Sequence, residues 1–363
     1  MGLLVTELSL ADFRSFERLE LELAPGVTVL AGPNATGKTN TVEAIQLLTA
    51  GFSFRRPQPR QLIREGASSA RVDLRLVGDG RVVDHRCDVT DGARRFSRNG
   101  KRVQAADLPE SLMSVLFTPD DLALVKRGAH ERRDEIDSFA RQANRGYARV
   151  LAEYQRAVEQ RNRLLKEDVL DVSLLEAWDA SVAVGGAAVL SARLRLFDRL
   201  ARRTCEVYAE LSGGEGLECR YVCSAGEQAL GLERDALAEL LLERLSEGRA
   251  EDLRRRQTCV GPHRDDVLFL VSGRDARSFA SQGQQRTVAL ALKMAEVTLA
   301  GEILGSRPVL LLDDVMSELD ERRRSAVVSF VDGGIQTVVT TTNLGYFSPD
   351  LLDLAKVVSF GER

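Results

Sequence analysis

Two short stretches near the start of the chain, Leu8-Ser9-Leu10 and Leu19-Glu20-Leu21-Glu22-Leu23, alternate apolar and polar residues with a period of two. They predict two half-buried strands around the turn Asp12–Phe16. Pro25-Gly26 then leads into Val27–Ala31, which reads as a buried strand. Asn40–Ala50 carries Val42, Ala44, Ile45, Leu47 and Leu48 at helical spacing. Two more strands are expected over 71–77 and 81–89, joined by Gly78-Asp79-Gly80, and Asn99-Gly100 marks a hairpin turn. Ser114–Phe117 is a short buried strand that ends in Thr118-Pro119-Asp120-Asp121-Leu122, where Pro119 suits the first turn of a helix.

From residue 131 the period lengthens. Ile136, Phe139, Ala140, Ala143, Tyr147, Val150, Leu151, Tyr154 and Val158 form a sustained apolar stripe. It predicts one helix over about 131–166, roughly 50 Å long. A second helix is expected over about 173–211, kinked at Gly185-Gly186 and ended by Gly213-Gly214. A strand at Leu217–Cys223 and a leucine-rich helix over 227–247 follow. Trp178 and the tyrosines in these stripes read as core rather than as a surface for stacking bases. After Cys259 the strand and loop character returns: a turn at Val260–Asp266, a strand at Val267–Val271, and an Ala- and Leu-rich helix to about Leu304. A buried parallel strand, Val309–Leu312, runs into Asp313-Asp314, and a last core strand is expected at Thr337–Asn343. The pattern therefore divides the chain into an α/β head, 1–130 with 257–363, and a mostly helical insertion, 131–256.

The candidate chemistry starts at Gly32-Pro33-Asn34-Ala35-Thr36-Gly37-Lys38-Thr39, which has the G-x-x-x-x-G-K-T form of a phosphate-binding loop. It stands where that loop works, between a buried strand and a helix. Glycines let successive N–H groups turn inward around a triphosphate, and the helix N-terminus faces the anion. Lys38 would reach the β- and γ-phosphates of ATP, and the Thr39 hydroxyl would ligate Mg²⁺. A glycine turn between strand and helix is the plain alternative, but here every fixed position is present. The apolar run into Asp313 fits a second nucleotide motif, with Asp313 holding Mg²⁺ and Asp314 acting as general base on water. Ser281-Gln282-Gly283-Gln284 opens a helix about 30 residues earlier, and Ser317-Glu318-Leu319-Asp320 follows directly behind. Alone, the first of these is only a polar helix cap. Standing in this order and spacing with the first two motifs, they resemble the signature motif and the D-loop of ABC-type ATPases, which implies a shared nucleotide site.

Length and composition add limits. A chain of 363 residues suits two domains, or one with a large insertion. With 44% hydrophobic and 29% charged residues it reads as an ordinary soluble protein. No apolar run of membrane-spanning length and no signal peptide are expected, which suggests a cytoplasmic location with no membrane partner. The five scattered cysteines read as small buried residues rather than as disulfides or a zinc site. His85 reads as a strand surface residue and His130 as solvent-facing. Net charge is −4, so any DNA binding must use local basic patches. The candidates are Arg55 and Arg56 with Arg60 and Arg64; Arg94, Arg95, Arg98, Lys101 and Arg102; Lys126 and Arg127 with Arg132 and Arg133; and Arg254–Arg256. Each could equally be a solvated face.

The opening segment from Leu8 to Phe13-Arg14-Ser15-Phe16 and the helical insertion between phosphate loop and Ser281 resemble SMC-type ATPases. More specific are Phe117-Thr-Pro-Asp-Asp-Leu122, Val260-Gly-Pro-His-Arg-Asp-Asp266, Gln282-Gly-Gln-Gln-Arg-Thr287 and Leu312-Asp-Asp-Val-Met-Ser-Glu-Leu-Asp320. Together with the phosphate loop they closely resemble the RecF family of bacterial recombinational-repair ATPases, over essentially the whole chain. The resemblance implies an ABC-type ATPase head with a short helical arm. It implies ATP-dependent homodimerisation, with Ser281, Gln282, Gly283 and Gln284 meeting the γ-phosphate held by the other subunit. It also implies binding of double-stranded DNA at gaps or junctions, partnership with RecR and, through RecO, loading of RecA. Three departures from the wider ABC pattern stand out. Asp314 replaces the usual glutamate with a side chain one methylene shorter, and a misplacement of about 1 Å in a catalytic group can cost about 10²-fold in rate, so slow hydrolysis suited to a timer is expected. Thr341-Thr342-Asn343 holds no switch histidine, which leaves Asn343 or a neighbouring threonine as sensor. Thr118-Pro119-Asp120 stands where a Q-loop glutamine is expected. A transporter nucleotide-binding subunit and another SMC-like ATPase are the alternatives.

Overall fold

The computed structural model describes residues 2–361. Two compact units emerge, one made of residues up to 122 with those from 293 onward, the other of 123–292.

The first unit is built on two sheets. A five-stranded parallel sheet has the order Lys356–Ser359, Val27–Ala31, Thr337–Thr341, Val309–Asp313, Ser114–Phe117. Its inner strands are wholly or mostly buried, which is why they read as apolar and β-branched runs rather than as alternating ones. A six-stranded sheet is antiparallel throughout and starts from the hairpin Leu4–Phe13 and Phe16–Glu22. There Leu8 faces Leu21 and Leu10 faces Leu19, so the two alternating strands expected around the turn put their leucines on one shared face. The helix Lys38–Thr49 follows the phosphate loop, and its Val42, Ala44, Ile45, Leu47 and Leu48 join one apolar core with Phe13, Phe16, Leu30 and Leu74.

The second unit is mostly helical, with a small sheet of Leu217–Val222, Asp266–Val271 and Arg274–Asp275. It is wider than the expected 131–256. Asp266–Val271 pairs along its whole length with Leu217–Val222, and this draws the Val260–Asp266 turn and Ser281 into the unit.

Several expectations need correction. The single helix over 131–166 is two, Ala129–Ala143 and Arg145–Leu164, broken at Asn144, whose side chain accepts the Gly146 N–H at 2.9 Å and caps the second. The next helix is continuous from Val172 to Ser212, about 60 Å at ~1.5 Å per residue, with no break at its glycines. A Cβ on Gly186 would lie 3.2 Å from the Tyr154 ring and 3.1 Å from Leu241, so the pair serves close packing rather than a kink. That helix also holds an 18-residue window of mean hydropathy 1.4, long and apolar enough to cross a membrane by composition, against the expectation that none exists. Half of the window is buried, and the same helix buries Asp179 and Arg193, as a core helix does. The last sheet strand is Lys356–Ser359, beyond the expected one. His85 is buried rather than on the surface, held by the Leu48 carbonyl at 2.8 Å and Ser111 at 3.2 Å.

Candidate nucleotide-binding site

The phosphate loop leaves the carboxyl end of Val27–Ala31, with Thr337–Thr341 and then Val309–Asp313 beside it. In a parallel sheet these ends share one edge, and Gly32, Asp313 and Thr341 are gathered there by topology alone. Two glycines in the loop are required. Gly37 has φ 104°, and a Cβ there would sit 2.4 Å from the Phe16 ring. Gly32 has φ 157°, and a Cβ there would sit 2.1 Å from the Phe360 carbonyl oxygen. Any side chain at either position would push the loop off the strands that shape it.

Lys38 folds back over the loop and donates to the carbonyls of Gly32 at 2.7 Å and Pro33 at 2.6 Å. Burial is the main influence on its ammonium and lowers its pKa, while Asp314 and Asp313 pull the other way. The Thr39 hydroxyl donates to Asp313 Oδ1 at 3.0 Å, joining residues 274 positions apart. Thr340 donates to the same oxygen at 2.8 Å. Burial raises the pKa of Asp313, opposed by those two hydroxyls and, at longer range, by Arg55 and Lys38. Asp314 has a left-handed backbone, φ 54°, that turns it off the strand end, and its N–H is held by Thr340 Oγ1 at 2.9 Å. Its Oδ1 is buried without a partner. Burial and then Asp313 raise its pKa, Lys38 opposing, which suits a base.

These residues fit a magnesium nucleotide. A hydroxyl and a carboxylate are hard oxygen donors, and Mg²⁺ is ordinarily held by one or two protein groups with phosphates and water completing the shell. Among the described residues no group of three or more His, Cys, Asp or Glu forms a self-sufficient metal cage. The orphaned Asp314 oxygen is the atom a water would approach.

A feature the motifs did not announce lies beneath. Glu43, on the helix after the loop, is buried and accepts from Arg14 through a two-pronged pair at 2.9 and 2.7 Å, from Arg55 at 3.2 Å and from Ser53 Oγ at 2.6 Å. Arg55 also donates to Asn40, the residue after Thr39, at 2.8 Å. Arg55, one of the candidate DNA contacts, is thus tied to the helix that follows the nucleotide loop. Arg56 is exposed, with a left-handed backbone of φ 49°. Only Glu43, the one acidic residue of the helix Lys38–Thr49, hinted at this cluster.

The other basic candidates are sorted as well. Arg98 bonds Glu110 and the Asp107 carbonyl, whereas Arg95, Lys101 and Arg102 on the same hairpin are exposed and Arg94 half-buried. Lys126 is exposed and Arg127 half-buried, but Arg132 is buried and forked onto Asp266 at 2.8 Å through both nitrogens. Arg254 and Arg255 both turn to Glu251.

In the second unit, Ser281 and Gln282 are exposed at the start of the helix Gln282–Leu304. Ser281 Oγ accepts the Gln284 N–H at 3.2 Å, and Gln284 Oε1 accepts the Ser281 N–H at 2.8 Å, a reciprocal capping box. The Gln284 side chain is therefore engaged within the turn. His263 of the Gly-Pro-His-Arg turn donates from Nε2 to the Thr258 carbonyl at 3.1 Å, so its Nδ1 accepts from the Tyr154 hydroxyl at 2.5 Å.

Residues 4–351 match the family model described as the RecF/RecN/SMC N terminal domain. The chain is 37% identical over 360 residues to the DNA replication and repair protein RecF of Heliobacterium modesticaldum, covering 97% of this chain and 96% of that one. It is 40% identical over 378 residues to the protein of the same name from Chloroflexus aurantiacus, covering 96% and 95%. Among solved structures, one of the recombination mediator protein RecF-ATPrS in the RecFOR pathway superposes with a TM-score of 0.90 at 32% identity, covering 96% of this chain and 94% of that one. The Smc head domain of Pyrococcus furiosus, at 19% identity and a TM-score of 0.52 over 94% and 90%, shares the fold.

Proposed function

The chain belongs to the RecF branch of the RecF/RecN/SMC family, and on that footing we propose that it is an ATP-switched DNA clamp of recombinational repair. In this reading two copies close on two ATP molecules, the closed dimer holds double-stranded DNA at gaps or junctions, and slow hydrolysis releases it. RecR, with RecO and RecA behind it, would be the protein partners. The observation that carries the reading is the 3.0 Å bond between Thr39 and Asp313, which brings the two nucleotide motifs to one point.

Each residue then has a part. Lys38 exchanges its two loop carbonyls for phosphate oxygens, a stronger, charge-assisted partner. Thr39 and Asp313 would hold Mg²⁺. Bound there, the ion would supply positive charge against the phosphates and neutralise charge that develops in the transfer. Asp314 orients water and takes its proton. Its side chain is one methylene shorter than the glutamate of related ATPases, which favours a slow clock. Ser281, exposed at a helix N-terminus, presents its hydroxyl and the positive helix end to the nucleotide of the second copy. Net charge of −4 keeps open monomers off DNA, while a closed dimer doubles every exposed basic patch, and phosphate contacts add steeply at about 0.9 in salt slope each.

The test measures duplex affinity and molecular mass with no nucleotide, with ATP and with ADP. A DNA-bound dimer in ATP alone supports the clamp; an ATP dimer with no DNA affinity would remove it. Lys38→Met should abolish ATP binding, and tight ATP binding by that variant would sink the site assignment. Ser281→Arg should bind ATP normally yet fail to dimerise or turn over.

A further inference from the structure

Glu215 belongs to no motif, yet its carboxylate ends on the turn that presents Ser281. It follows the 41-residue helix Val172–Ser212, where Gly213 and Gly214, at φ 83° and 99°, reverse the chain. Its Oε1 accepts from Gln284 Nε2 at 2.7 Å and from Ser272 Oγ at 3.3 Å. Its Oε2 accepts from the hydroxyl of Tyr208, a fully buried residue of the long helix, at 2.7 Å. Its own N–H is held by Ser212 Oγ at 3.0 Å.

We propose that Glu215 is a positioning residue for the nucleotide-facing turn at Ser281. The inference rests on the reading of Ser281 as a contact to the second copy's nucleotide. A glutamine amide has two unlike ends, and Gln284 uses both. Its oxygen takes the Ser281 N–H, and its nitrogen points to Glu215. Flipping the amide would set N–H against N–H at Ser281 and oxygen against a carboxylate at Glu215. Glu215 therefore fixes which way Gln284 faces, and Gln284 fixes the Ser281 backbone. Ser281 Oγ accepts within the turn, which leaves its O–H to donate outward. Tyr208 carries the same anchor into the long helix, so the end of that helix and the turn are linked through one carboxylate. A shift at either end would be felt at the other.

The experiment compares Glu215→Ala and Glu215→Gln with Glu218→Ala, a nearby change at an exposed carboxylate that pairs with Arg220. Amide hydrogen exchange over 281–285 in the nucleotide-free protein reports the turn directly. ATP affinity, the mass formed in Mg-ATP, and the split between kcat and KM report its use. Glu215→Ala should speed exchange in the turn and leave ATP affinity unchanged. It should weaken dimerisation and lower kcat by about tenfold, the size expected of one charge-assisted hydrogen bond. Glu215→Gln keeps an acceptor for Gln284 and should recover most of the loss, and Glu218→Ala should match the parent in every readout. Unchanged exchange in Glu215→Ala would overturn the proposal, as would faster exchange with normal dimerisation and kcat. Ser281→Arg, run alongside, separates the two ideas. If it dimerises normally, the reading of Ser281 fails and the proposal fails with it. If it blocks dimerisation while Glu215→Ala does not, only the role of Glu215 is lost.

Discussion

Both units bury charge, and they bury it to different ends. In the first, Lys38, Glu43 and Asp313 gather at one edge of the parallel sheet, where the strands stop and the loops begin. In the second, Arg161 and Arg193 lie in the middle of the packing. Arg161 donates to Asp179 and Asp252, each at 2.6 Å, and to Thr258 at 3.0 Å. Arg193 forks onto Asp137, both bonds at 3.0 Å, and reaches Tyr221 at 3.0 Å and the Pro262 carbonyl at 2.7 Å. The second set connects helices and turns far apart in sequence through guanidinium groups, whose planar forks suit several fixed acceptors at once. The first set includes a lysine resting on carbonyls it can leave, next to a carboxylate with an orphaned oxygen. Burial of charge alone does not mark a functional site. A missing partner alone does not mark one either, since Arg161 Nη2 is also buried without one; what marks it is an exchangeable cation and an orphaned carboxylate oxygen together at the strand ends.

The largest effect should come from breaking the second set. Arg161→Leu takes the shared cation from Asp179 and Asp252, leaving Asp179 only Arg249 at 3.2 Å and Asp252 buried without its arginine. Removal of one member of a buried pair costs about 3–5 kcal/mol, a large share of the stability of a folded unit. Urea unfolding should show that loss, while ATP affinity of the folded protein stays at the parent value. A variant that kept its stability but lost ATP binding would break the contrast between the two sets.

A smaller effect follows from one histidine in each unit. Burial, above all, pushes His85 and His263 down to about 4, although each has a backbone carbonyl partner. The free imidazole titrates near ~6.5. Between pH ~6.5 and ~4 the unfolded chain binds two protons that the folded chain does not. Their contribution to stability is therefore complete above ~6.5 and lost as pH falls toward 4, at up to about 1.4 kcal/mol per histidine per pH unit. The slope of unfolding free energy between pH 4.5 and 6 should drop by about half of that two-histidine component in His85→Gln. An unchanged slope would show that His85 is not held neutral.

That histidine also shows where sequence reading reached and where it stopped. Val83, His85, Cys87 and Val89 all fall on the inward side of one alternating strand, so the expectation of a surface His85 followed its polarity where the alternation points inward. The phosphate loop was legible because its parts are contiguous, and Asp313 because an apolar run into an acid is uncommon. Glu43 was not, since its partners come from positions 14, 53 and 55, and Glu215 was not, since one carboxylate at a helix end has no pattern. The break at Asn144 was hidden because the apolar stripe keeps its phase across it. Lys356–Ser359 is too short for periodicity to register.

The smallest effect separates basic residues that the sequence grouped together. Arg55 is tied to Glu43 and Asn40, and Arg98 to Glu110 and the Asp107 carbonyl, so their charge is already engaged. Arg95, Lys101 and Arg102 are exposed on the hairpin Ala93–Val103, and Arg95 and Arg102 share one face of it, because Ser97 lies opposite Arg102 and two residues from Arg95. If duplex DNA meets this hairpin in the ATP-bound state, Arg95→Ala with Arg102→Ala should reduce the slope of log affinity against log salt by up to about 2, at ~0.9 for each lost phosphate contact. Arg55→Ala should leave that slope unchanged and instead lower ATP turnover, because it removes a cation that acts on Asp313 and a brace of the loop helix. The opposite result, a salt slope set by Arg55 and indifferent to the hairpin, would mean that its bonds to Glu43 and Asn40 open when DNA arrives, and that the charges of the first unit are exchangeable well beyond Lys38.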